Sequence, residues 1–295
     1  MFDKRGRRAL QLSFMQRPRN LISDSSLVQE IFDLLRERGG RTSFSEIADS
    51  VLRLSNTTED LAAALVNDLT QNDSRFAVEQ GLLTINENEI EKLPLNEIDF
   101  VVFDAEAITG KAIPTRMIEI GACRVRAGEI HEEFQSLVNP ELPLPRFISA
   151  LTGITDEMIS AAPKFAELAE PWLEFAGDSV LVAHNSNFDL NLLNYEIGRV
   201  FPGSRMRNPD LCTVQLARRV ARSIENHNLD SLADHFGIEI KQRHRAAGDA
   251  RATAHVLLRL LDQLDLHGIQ TLGAARAFDA SLPPEPSGLQ LTLNS

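Results

Sequence analysis

The chain has 295 residues, 43% of them hydrophobic and 24% charged, a composition that suits a soluble globular protein of about two domains. No apolar run approaches the roughly 20 residues of a membrane helix, so no membrane partner is expected. A net charge of −12 argues against a protein that coats nucleic acid along its length, and leaves room for an enzyme that grips a few terminal nucleotides.

Residues 1–25 carry Lys4, Arg5, Arg7, Arg8, Arg17 and Arg19 without a continuous apolar core. A secretory signal requires such a core, so the segment reads as a basic flexible tail, with an Arg-rich organellar presequence as the alternative. Residues 27–38 are amphipathic through Val28, Ile31, Phe32, Leu34 and Leu35, and Gly39-Gly40 is a helix stop. Ser43 or Ser45 caps a second helix through Ile47, Ala48, Val51 and Leu52, and Thr58 precedes a third over 61–69. Residues 75–78 and 82–85 alternate around Gln80-Gly81 as a hairpin. Three helices followed by two strands, over 26–92, resemble a winged helix. Its third helix carries Glu59, Asp60 and Asp68 and no basic residue, so a protein partner is expected there rather than DNA. Residues 93–97, with Pro94, form the linker.

The run 100–103 reads as a buried strand that ends in Asp104-Ala105-Glu106. Strand alternation puts positions two apart on one face, so both carboxylates aim at one spot. Such a pair is costly beside apolar surface unless something positive neutralises it, and a hard divalent cation is the usual solution. Asp189 follows a second strand-like run, 179–183, and stands where a helix over 190–199 begins. Asp249 opens a helical pattern over 250–264 with Ala254, Leu257, Leu258, Leu261 and Leu264 on one stripe. An acid in a first helical turn is by itself an ordinary helix stabiliser. Four carboxylates at element ends, with His244 close by in sequence to one of them, fit a two-metal centre better, with ions about 4 Å apart.

The three segments carry D-x-E (Asp104, Glu106), H-N-x-x-F-D (His184, Asn185, Phe188, Asp189) and H-x-A-x-x-D (His244, Ala246, Asp249). In this order and spacing, the region resembles the DEDDh family of 3′–5′ exonucleases, which includes the proofreading epsilon subunit of bacterial DNA polymerase III and ribonuclease T. Residues 117–122, 151–155 and 228–233 are similar to further landmarks of that family. The resemblance implies a ribonuclease-H-like α/β domain over 98–266. Its mixed five-stranded sheet uses strands near 98–104, 116–126, 129–138, 179–183 and 208–212, with helices on both faces.

It further implies that Asp104, Glu106, Asp189 and Asp249 ligate two divalent ions, Mg2+ or Mn2+, and that His244 takes a proton from the attacking water. The product is a nucleoside 5′-monophosphate. Without the motif, His244 would read as a surface residue of the basic loop 241–245. His184 reads as a structural hydrogen-bonding residue, and His131, His227, His235, His255 and His267 as structural or exposed. The family continues D-x-E with T-T-G, whereas this chain has Ala107, Ile108, Thr109 and Gly110, which changes the turn that holds the terminal nucleotide. Ala107, Ile108, Thr109, Asn185, Phe188, Arg243 and Arg245 are the expected substrate contacts, with Ile108 against a base or sugar. Arg205 and Arg207, and Arg218, Arg219 and Arg222, are two further basic groups that a phosphate backbone could follow.

The expected activity is release of nucleotides from single-stranded 3′ ends, DNA favoured over RNA, in proofreading or repair. An RNA exonuclease and a nuclease-fold binding module with a dispensable site are the alternatives. Cys123 and Cys212 show neither metal-ligand spacing nor a disulfide framework, which points to a reducing, cytoplasmic setting. Residues 267–295 read as a tail, rich in proline from 283 to 286. Near its end Gln290-Leu291-Thr292-Leu293 resembles the peptide that binds the bacterial sliding clamp, and Gln11-Leu12-Ser13-Phe14 is a weaker match.

Overall fold

Apolar residues three and four apart turn one face of each N-terminal helix into a shared core. The computed structural model describes Pro18 and residues 20–86, 89–109, 115–222 and 224–278. Its first elements are β1 (Leu21–Ser23), α1 (Ser26–Glu37), β2 (Arg41–Thr42), α2 (Phe44–Ser50), α3 (Glu59–Thr70), β3 (Phe76–Glu79) and β4 (Leu82–Ile85). Val28, Ile31, Leu35, Phe44, Ile47, Val66, Phe76 and Leu83 form the core of this unit. Ser43 Oγ accepts from the Glu46 amide and caps α2, whereas the Thr58 side chain makes no cap to α3. Gln80 and Gly81 have φ of 53° and 79°, the left-handed pair that a tight hairpin demands. The three strands pair antiparallel in the order β2-β4-β3. Strand β2, with two residues, is too short to leave a periodic signal.

The boundaries of the two expected tails and of the linker need correction. Residues 21–23 are not tail: β1 pairs antiparallel with β9 (Ser204–Met206), and Leu21 and Ile22 are buried. Leu95 of the linker is buried in the main core, and its amide donates to Gln270. Residues 267–278 are not tail either, because Leu272 and Ala275 of a terminal helix (Leu272–Ala277) fill that same core. The clamp-like peptides at 290–293 and 11–14 lie outside the described residues.

The main sheet is built from β5 (Phe100–Ile108), β6 (Arg116–Arg126), β7 (Glu129–Leu137), β8 (Val180–Ala183) and β10 (Asp210–Cys212). Their order is β10-β8-β5-β6-β7, with β5, β6 and β7 antiparallel in turn and β8 and β10 parallel to β5. This is the mixed five-stranded α/β arrangement expected from the sequence. Helices α4 (Arg146–Thr152), α5 (Asp156–Ser160), α6 (Phe165–Ala176), α7 (Ser186–Val200), α8 (Thr213–Val220), α9 (Leu229–Phe236), α10 (Ala246–Leu266) and α11 (Leu272–Ala277) accompany it.

Alternation along β5 divides the core. Val101, Phe103, Ala105 and Ala107 pack with Trp172 of α6 and Leu192 and Leu193 of α7. Phe100 and Val102 pack on the other face with Leu257 and Leu260 of α10. Asp104 and Glu106 continue this second row, so the carboxylates point toward the helix that carries Asp249. Strand β6 approaches that helix closely: a Cβ on Gly121 would lie 2.2 Å from the Ala247 amide nitrogen. Cys123 and Cys212 are free and buried.

Candidate active site

Strand β5 does not end at its carboxylates. It runs on to Ile108 in register with β6, with an irregularity after Glu106. Strand β8, by contrast, pairs with β5 only at residues 100–102. Past that point the edge of β5 is open, and the Ala105 amide donates instead to Asp189 Oδ1 at 3.1 Å. The strand-to-helix turn that delivers Asp189 passes through Asn185, whose φ of 69° is left-handed. One backbone hydrogen bond thus fixes the first turn of α7 between Asp104 and Glu106.

The fourth carboxylate, Asp249, lies in the first turn of α10 and is held by the loop before it. Gln242 and His244 both have positive φ, 57° and 62°, and such conformations are sustained only when their surroundings over-determine them. Here the His244 amide donates to Asp249 Oδ2 at 3.1 Å, and the Lys241 and Gln242 carbonyls press on Gly248. Ligand atoms of Glu106, His244 and Asp249 lie within 4.8 Å of one another. Asp104 faces Asp189, Asp249 and Glu106 closely enough for each to push its proton affinity up. All five motif residues are therefore brought together.

Four acids in this space are electrostatically frustrated. Burial, then repulsion from its neighbours, holds the Asp104 carboxyl well above the ordinary carboxylate range. Burial first, then Asp249 and Glu119, push Glu106 up to about 7. Burial also pushes Asp189 up to about 7 against the Ala105 hydrogen bond, and raises Asp249 against the opposing charge of Arg243. Asp249 Oδ1 is buried and has no hydrogen-bond partner among the described residues. An orphaned carboxylate oxygen beside three protonation-prone acids is a donor set suited to hard divalent cations.

These shifts have a measurable consequence with a definite sign. Between the ordinary carboxylate values and about 7, the folded metal-free protein retains protons that the unfolded chain has released. Its stability therefore falls as pH rises through that window. We expect metal-free protein to melt roughly 5 °C lower near pH 8 than near pH 5.5. Saturating Mg2+ or Mn2+ should reverse the trend, because ligation needs the deprotonated forms. Thermal unfolding with and without chelator reads both; a melting temperature that rises with pH in chelator would contradict the assignment.

The expected substrate contacts divide into three groups. Phe188 is 42% exposed and Asn185 is also exposed, both at the mouth of the site, and Thr109 is half-buried. Ala107 and Ile108 must be corrected: both are buried, and Ile108 packs with Ile118, Leu144, Ile148 and Ile154. The bulky residue in place of a threonine anchors a satellite core and offers no side chain to a base or sugar. Arg245 is likewise engaged, with a two-pronged ion pair to the fully buried Glu119. Arg243 binds Asp230 at the rim and Asp249 in the cluster, and its Nη1 lies 3.5 Å from His244 Nδ1. With Arg245, which also acts on Glu106, it partly neutralises the carboxylates. His184 is a structural residue as expected: its Nδ1 contacts Thr213 Oγ1 at 2.9 Å, and burial lowers it to about 4.

Two acids that sequence reasoning left unassigned organise the surroundings. Glu119 stands opposite Glu106 on β6, accepts from Arg245, Gln135 and the Ala246 amide, and so ties the start of α10 to the sheet. Glu196 of α7 is fully buried and binds Arg116 and the Met117 amide. The signal for Glu119 was present, a lone acid inside the apolar run Met117-Ile118-Glu119-Ile120. Of the other basic groups, Arg205 faces Asp24 and Gln29 of the N-terminal unit, and Arg219 donates to the Ala275 and Arg276 carbonyls, so these two side chains are already engaged within the protein.

A family model described as an exonuclease matches residues 101–257. The DNA polymerase III epsilon subunit of Aquifex aeolicus is 37% identical over 165 residues, covering 56% of this chain and 81% of that protein. The PolC-type DNA polymerase III of Bacillus subtilis is 37% identical over 196 residues, covering 64% of this chain; the chain spans only 14% of that polymerase. Among solved structures, E. coli Exonuclease I in complex with a dT13 oligonucleotide shares the fold, with a TM-score of 0.50 at 16% identity over 58% of this chain and 43% of that one. The matched stretch contains every residue of the acidic cluster, and the chain belongs to the DEDDh exonuclease family, with an epsilon-like exonuclease domain.

Proposed function

We propose that this protein is a metal-dependent 3′–5′ exonuclease that removes nucleoside 5′-monophosphates from single-stranded ends, DNA in preference to RNA. The observation that carries this reading is the unpartnered Asp249 Oδ1 within a buried cluster of mutually repelling acids. Asp104, Glu106, Asp189 and Asp249 would hold two divalent ions, Mg2+ or Mn2+, which supply Lewis-acid stabilisation of the phosphoryl oxygens and lower the pKa of a water. His244 would accept a proton from the attacking water through its ring, with its backbone anchored on Asp249. Asp249 and Asp189, each held by a backbone amide, keep the donor oxygens in place without reorganisation. Phe188 and Asn185 flank the terminal nucleotide.

The epsilon name of the Aquifex aeolicus relative supports a setting in proofreading or repair beside a polymerase, in the cytoplasm. No helix of the described residues is long and apolar enough to cross a membrane. The N-terminal unit is winged-helix-like and serves a protein partner. Its third helix leaves Leu61 and Leu65 exposed among Glu59, Asp60 and Asp68, a face that phosphates would avoid. The clamp-like residues 290–293 are a second contact to test by pull-down with and without the tail.

The deciding experiment uses DNA and RNA oligomers of one sequence, labelled at either end, with Mg2+ or Mn2+. A descending ladder from 5′-labelled DNA, formed faster than from RNA, is expected. Release of the 5′ label as the first product would reverse the polarity, and faster ladders on RNA would change the substrate. Silence with both metals would favour a binding module.

A further inference from the structure

Helix α7 presents two faces. Asp189, Leu192, Leu193, Glu196 and Ile197 turn inward, and Asp189 reaches the acidic cluster. The outward side carries Phe188, Asn191 and Tyr195, at helical spacings of three and four. Tyr195 is the chain's single tyrosine and is 49% exposed, beside Phe188 at 42%. Between them lies an open cavity of about 500 Å³ lined by Thr115, Phe188, Asn191, Leu192 and Tyr195. None of these lining residues is charged, in a protein whose net charge is −12. Phe188 of the cavity lining directly precedes Asp189 in the first turn of α7, and Thr115 directly precedes β6.

We propose that this face of α7 is a subsite for the bases upstream of the scissile terminus, with the Tyr195 ring as a stacking platform. The proposal rests on the exonuclease reading and specifies how the strand leaves the site. Seven residues along a helix separate Phe188 from Tyr195 by about 10 Å along the axis. At ~3.4 Å per stacked base, that is about three steps of a strand. The acidic cluster sits at the start of α7, so the strand runs from its 3′ end along the helix toward Tyr195. An aromatic face accepts any base, which suits an enzyme that must degrade every sequence. Asn191 and Thr115 add an amide and a hydroxyl for sugar or phosphate oxygens, so the acidic protein can hold a polyanion with few positive charges.

The test compares the p-nitrophenyl ester of thymidine 5′-monophosphate, which reaches only the terminal site, with the octamer dT8. Tyr195→Ala should raise KM for dT8 about tenfold and leave kcat/KM for the ester within twofold, and Tyr195→Phe should restore the wild-type KM. An unchanged KM for dT8 in Tyr195→Ala overturns the proposal, as does an equal loss on ester and octamer. If the wild type hydrolyses neither substrate, the exonuclease reading itself fails. Anisotropy of labelled dT8 then decides the platform separately, through weaker or equal binding by Tyr195→Ala.

Discussion

Asp104→Asn should lower kcat for nucleotide release by about 10³-fold or more and, in the same protein, raise the melting temperature measured in chelator near pH 8. The two effects share one cause. Asp104 faces Asp189, Asp249 and Glu106, and its carboxyl is held far above the usual range by burial and by those charges. Asparagine keeps the shape and removes the charge, so the metal-free fold loses a source of repulsion. It also removes a ligand oxygen from the position where the phosphoryl charge must be balanced, and single electrostatic contacts of that kind are worth several kcal/mol in a transition state. Kinetics with 5′-labelled DNA and thermal unfolding in chelator read the two halves. Retained activity would remove Asp104 from the site, and lost activity with lost stability would point to simple damage of the fold.

Gly121→Ala should be among the most destabilising single-methyl substitutions in the chain, costing about 3 kcal/mol or more. The added Cβ would stand 2.2 Å from the Ala247 nitrogen, 2.4 Å from the Ala246 carbonyl carbon and 2.6 Å from the Ala247 Cα. Each of these is a backbone atom in the first turn of α10, so no side chain can swing aside. Relief requires moving the helix away from β6, which stretches the Glu119 bond to the Ala246 amide and carries Asp249 with it. Urea denaturation should show the lost stability. Whatever folds should bind Mn2+ less tightly, which isothermal titration can measure. A variant with wild-type stability would mean that the strand and helix are not in this contact.

The acidic site was legible because its residues interrupt or open apolar patterns: Asp104 and Glu106 break the apolar run of β5, and Asp189 and Asp249 stand in the first turns of helices. Asp104, Glu106, Asp189 and Asp249 each follow or open an apolar pattern, and the three motifs fixed their order. The mixed sheet was legible from its long apolar runs, to within a few residues of β5 through β8. Side-chain commitments were not. Ile108 and Arg245 looked available to substrate, yet one is buried with Ile118 and Ile148 and the other is committed to an ion pair with Glu119, partners that only folding brings near. Strands β1, β2 and β9 have two or three residues each, too few for an alternation to register. Residues 267–278 join the proline-rich tail in the sequence reading, because the two side chains that matter, Leu272 and Ala275, are three apart on a single turn and leave no longer periodic stretch.

The pairing of Leu21–Ser23 with Ser204–Met206 changes what counts as a separable piece of this molecule. A fragment cut to begin at Ile98 would keep every acidic ligand, but would uncover a hydrogen-bonding rim that the start of the chain normally seals. It would also lose Leu21, which lies in the core beside Met206. Bare rims of that kind recruit neighbouring copies. A fragment without residues 21–23 is therefore expected to self-associate more readily than the longer chain, for reasons unrelated to its chemistry.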